Sequence, residues 1–136
     1  MDANNNRHQY DLKLSHKHLR VLQMSLELFS RIAMGQYAHI YEDMMELDAE
    51  TREKSRLLTD ELKKTILGLD PGSYFSICSP RLDESVHIAY EIEKTVQKMI
   101  AEVEKHHRYS VWHDGPLKLS PEPLPQLRKI ENDESV

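Results

Sequence analysis

The chain has 136 residues, of which 39% are hydrophobic and 30% charged, a balance that excludes a membrane span and a wholly disordered chain. Eighteen Lys and Arg against twenty-three Asp and Glu leave a net charge of -5, without the cationic excess that binding to a DNA or RNA duplex requires. A small anion held by a few local arginines stays compatible with that total, because a pocket responds to the charges nearest it.

Residues 1–9 are polar and Asn-rich and read as a flexible N-terminus. In "YDLKLS", Tyr10, Leu12 and Leu14 alternate with Asp11 and Lys13, the period of a short half-buried strand. Ser15 is placed to cap a helix in which Leu19, Leu22, Leu26, Phe29 and Ala33 recur at steps of three and four. Gly35 marks a kink or a break. Beyond it Tyr37, Ile40, Tyr41, Met44, Met45 and Leu47 keep a helical spacing. Residues 48–67 predict a charged surface helix with the stripe Leu58, Leu62 and Ile66, closed by Gly68 and followed by an Asp70-Pro71-Gly72 turn.

"SYFSICS", residues 73–79, reads as a second short strand that Pro80 ends. From Leu82 to Val103 the apolar residues repeat at helical spacing for about six turns. That helix runs into the cluster Lys105, His106, His107 and Arg108, cations suited to the negative end of a helix dipole. "YSVWHDGPLKLS" reads as strand, Asp-Gly turn and strand, and residues 121–136 as an extended tail. The expectation is one small α+β domain over 10–120, with long helices packed against short antiparallel strands.

The eight histidines raise the question of a metal. His16 and His18, or His106 and His107, would diverge by about 200° or 100° on a helix, so neither pair converges on one ion, and no metal or cofactor is expected. Cys78 is the only cysteine, so no disulfide forms within the chain; it reads as a buried, inert thiol in a reducing cytoplasm. The start of the sequence shows neither a signal peptide nor a membrane anchor. Glu91 and Glu93 flank Ile92 and face different sides of a helix, so they make no acid–base pair, and no nucleophile elbow or Gly-rich phosphate loop is present. The chain does not read as an enzyme.

Two stretches carry residue types suited to a nucleotide. "FSRIAMGQY" supplies Arg31, Gly35, Gln36 and Tyr37, and "HHRYSVWHDGPL" supplies Arg108, Tyr109, Trp112 and His113. Guanidinium groups match phosphate geometry, amides read base edges and aromatic rings stack on bases. A purely architectural account fits the same residues, with Tyr109 and Trp112 in the core or at its rim, Arg108 at a helix end and Gly35 as a cap.

"LELFSRIAMGQYAHI", "VHIAYEIEKTVQKMIA" and "HDGPLKLSPEPLP" resemble three blocks of a family of small proteins encoded widely in bacteriophage genomes. The resemblance covers residues 10–125, and "SRIAMGQ" is its most specific block, although Ala33 stands where the family has glycine. That family is similar to phage anti-CBASS sponges, which sequester cyclic oligonucleotide messengers of anti-phage defence without cleaving them. The resemblance implies a cyclic di- or oligonucleotide partner, a homo-oligomer and the cytoplasm of a host cell. Under it, Gly35 would let the backbone turn and approach the ligand while Arg31 and Gln36 face the cavity. The alternative is an adaptor or inhibitor that binds a host defence protein through its apolar helix and tyrosines.

Overall fold

The computed structural model describes residues 8–105 and 118–131. Its elements are α1 (His16–Met34), a π-helical turn (Ile40–Met44), α2 (Ala49–Leu67) and α3 (Glu84–Glu104). Each long helix starts where a side-chain oxygen satisfies an otherwise unpaired backbone N–H. Ser15 Oγ accepts from His18 N at 3.1 Å, and the His18 ring accepts in return from Ser15 N, a capping box in which His replaces the usual Glu or Gln. Asp48 accepts from Thr51 N at 2.7 Å and Asp83 from Ser85 N at 3.0 Å.

The body of the molecule is the pairing of α1 with α3. His16, at the start of α1, bonds Glu104, at the end of α3, while Met34 at the other end of α1 packs with Leu82 and Val86, so the two helices run antiparallel. Ala33, Phe75 and Ile77 close over that apolar end, and Val96, Ile100 and Ala101 continue the buried face of α3.

No strand occurs among the described residues, which corrects the expected α+β domain to a helical one. "YDLKLS" has the alternation of a strand but no neighbour to pair with; Tyr10 is 89% and Leu12 75% exposed. In "SYFSICS" the alternation is genuine, since Phe75 and Ile77 turn toward the core and Tyr74 away from it. The backbone there makes one bond to α1, Phe75 N donating to Met34 O at 2.8 Å, and then folds back as Ser79 N donates to Ser76 O. Alternation therefore records burial without recording pairing. The strand–turn–strand expected over 109–120 lies outside the described residues except for 118–120, which are not in a strand.

Two smaller expectations change as well. Cys78 is exposed instead of buried, and Phe29, placed in the core by its spacing, is 49% exposed while its neighbour Ser30 is 5% exposed.

α2 packs mainly on the π-helical turn, and its last turn lies over Gly35 at the end of α1. Its inward row is Ser55, Thr59, Lys63 and Leu67, whereas the apolar row Leu58, Leu62 and Ile66 faces outward with exposures of 67%, 48% and 61%. After the undescribed segment, residues 118–131 run without helix or strand and are fastened to α3 at Glu91. There the buried Glu91 carboxylate accepts from Lys118 Nζ at 2.6 Å and from Ser120 Oγ at 2.7 Å.

Candidate functional site at the end of α1

"SRIAMGQ" is, first, a helix terminus. Gly35 has φ +89°, its N–H donates to Ile32 O at 3.0 Å, and Gln36 N donates to Arg31 O at 2.8 Å. Those two bonds with a left-handed glycine are the Schellman arrangement, which favours a residue free of a Cβ at the turn. The motif usually brings an apolar contact between the residues flanking the cap. Here Arg31 and Gln36 hold those places, and the contact is a hydrogen bond, Arg31 Nη1 to Gln36 Oε1 at 3.0 Å.

Arg31 is fixed from the other side too, since its Nε donates to Glu27 Oε1 at 3.0 Å. Glu27 accepts from Gln23 Nε2, and Gln23 Nε2 also donates to Glu93 on α3 at 2.7 Å. A polar ribbon thus crosses from the helix end to a carboxylate that is only 2% exposed. Two of the five guanidinium N–H groups of Arg31 are spent in this ribbon, and its side chain is 39% exposed, so an oriented fork remains for an acceptor from outside.

The space over Gly35 is occupied by protein. A Cβ there would come within 3.0 Å of Leu69 Cδ1, 3.3 Å of Leu67 Cδ1 and 3.4 Å of Lys63 Cδ. Gly35 serves as punctuation and as the floor for the last turn of α2. Tyr37 is buried at 7% exposure, and Tyr41 at 5%, where burial raises its phenol pKa despite the opposing effect of the Thr59 hydroxyl of α2.

The structure therefore brings Arg31, Gly35 and Gln36 to one point and buries the next residue, Tyr37. Arg108, Tyr109, Trp112 and His113 lie outside the described residues. Sequence reasoning missed Lys63. It is 6% exposed, and its ammonium donates to Ser73 O at 2.8 Å beneath the Asp70–Ser73 turn. The only available sign was its four-residue spacing from Thr59 and Leu67, which the stronger apolar row beside it concealed.

Elsewhere, a cleft of about 40 Å³ between α1 and α3 is lined by Arg20, Gln23, Met24, Gln97 and Ile100. Among the described residues no group of three His, Cys, Asp or Glu side chains could hold a metal ion, and no helix is long and apolar enough to cross a membrane. Comparison with family models, curated proteins and solved structures gives no match.

Proposed function

We propose that this chain is a phage anti-defence sponge, which binds a cyclic di- or oligonucleotide messenger and withholds it without chemistry. The observation that carries the reading is Arg31. Its guanidinium is oriented by Glu27 and Gln36, keeps unspent N–H groups at a partly exposed helix end, and lies in the block with the most specific resemblance to the phage family. An oriented fork loses little further freedom on meeting a phosphate, which favours tight binding. Withholding a scarce messenger calls for a nanomolar Kd, about -12 kcal/mol, more than one arginine supplies. The remaining contacts would come from Arg108, Tyr109, Trp112 and His113 and from a second copy of the chain.

Self-association has its own support in the outward row Leu58, Leu62 and Ile66 and in Val21, Met24 and Phe29 on α1, apolar side chains that a second copy would cover. The same surface favours the second reading, an adaptor that docks on a host defence protein. Calorimetry with a 3′,3′-cyclic dinucleotide, followed by heat denaturation and chromatography of the released ligand, separates the readings. A sponge binds it and returns it intact; absence of binding, or release of a cleaved product, rejects the sponge.

A further inference from the structure

Lys63 departs from the usual handling of charge in a protein interior. Buried charges are ordinarily paired, because removing an ion from water costs several kcal/mol that only an opposite charge or a full set of hydrogen bonds offsets. The chain follows this rule elsewhere. The buried Glu91 has Lys118 and Ser120, and the buried Glu93 has Lys94 and Gln23. Lys63 has one neutral partner, the Ser73 carbonyl, and no described carboxylate lies within 4.0 Å of its ammonium, in a chain where acids outnumber bases. An ammonium has three N–H groups, so two are unspent.

The location narrows the meaning. The stem of Lys63 lies against Gly35, the cap residue four positions after Arg31. Its ammonium bonds the carbonyl of Ser73 in the turn 70–73, whose own residues are exposed. We infer that Lys63 is a phosphate-binding residue, the second cation of an anion site whose first is Arg31, and that the ligand's phosphate supplies the missing acceptors. This rests on the sponge reading for the identity of the ligand as a cyclic nucleotide, but the anion site itself does not require it.

The test titrates the full chain with a 3′,3′-cyclic dinucleotide and, separately, with inorganic pyrophosphate. It compares wild type with Lys63→Met and Arg31→Ala by calorimetry, and follows the Lys63 ammonium ¹⁵N resonance in the wild-type protein. The expected result is that both anions bind and shift that resonance, and that Lys63→Met weakens each at least about tenfold, the usual consequence of losing a charge-assisted hydrogen bond. The ligand-free Lys63→Met protein should be no less stable to urea than wild type, because an underpaired buried charge has been removed. Binding of the cyclic dinucleotide that responds to Arg31→Ala, with affinity unchanged in Lys63→Met and an unmoved resonance, overturns the inference and leaves the sponge reading standing. Lys63-dependent binding of pyrophosphate without any binding of the cyclic dinucleotide does the reverse. Binding of neither anion rejects both. The resonance keeps the outcome readable even if Lys63→Met does not fold.

Discussion

At the scale of single residues, the helix end separates side chains that hold the fold from those available to a partner. Arg31 spends two N–H groups on Glu27 and Gln36 at a partly exposed position, so Arg31→Ala should cost under about 1 kcal/mol of stability, the usual value of such a pair. Its effect on cyclic dinucleotide affinity should be larger, a loss of about 1.5–3 kcal/mol by calorimetry. Arg31→Lys should lose most of that affinity as well, since one ammonium cannot reproduce the planar fork. Phe29→Ala, by contrast, should be mild in urea denaturation because the ring is half exposed, whereas Val96→Ala, at 0% exposure, should cost about 2 kcal/mol. Ser30 Oγ is buried without a hydrogen-bond partner, so Ser30→Ala should be neutral or slightly stabilising.

At the scale of elements, the glycines after α1 and α2 perform the same backbone turn in different surroundings. Gly35 has φ +89° and Gly68 φ +69°, both in the region that L side chains enter at a cost of about 1–2 kcal/mol. Gly68 faces open space, so Gly68→Ala should show that cost alone. Gly35→Ala adds a contact with Leu69 at 3.0 Å and should be more damaging by a further fraction of a kcal/mol, visible as a lower denaturation midpoint. Equal losses at the two positions would mean that α2 does not bear on Gly35. The Schellman geometry of "SRIAMGQ" also explains the spacing of Arg31 and Gln36, which the cap sets five residues apart so that their side chains meet.

At the scale of the whole molecule, two features lie at its margins. The C-terminal segment is held by Glu91, where burial pushes the carboxyl pKa up but the bonds from Lys118 and Ser120 outweigh it and leave the pKa below the ordinary 4.5. A lowered folded pKa contributes stability that is fully present above pH 4.5 and is lost as pH falls through the folded value. The protection factor of the Ser120 amide, which donates to the Glu91 carboxylate, should therefore hold at neutral pH and fall below pH 4.5, and Glu91→Ala should abolish it at neutral pH. The second feature is the outward apolar row of α2, for which light scattering after size exclusion should give a mass that is a multiple of 16.0 kDa. Leu62→Asp should return the protein to monomer; a monomeric wild type would weaken the case for a ligand enclosed by two chains.

By itself the sequence determined the three long helices, because caps and periodicity are local: Ser15, Gly35 and Gly68 act on backbone groups within a few residues of themselves. The caps Asp48 and Asp83 were not among those expected, and the helical spacing of 37–47 yields only the turn Ile40–Met44. It also carried the Arg31, Gly35 and Gln36 cluster, which one helix end assembles without help from distant chain. Strands were beyond it, since Tyr10–Leu14 and Phe75–Ile77 show alternation whether or not a partner backbone is at hand. Tertiary structure alone decided which row of α2 faces inward. Apolar spacing pointed to Leu58, Leu62 and Ile66, but the space beside Gly35 accepts Lys63 and Leu67, and Tyr41 takes Thr59, so the polar row turned in and left a lysine short of partners.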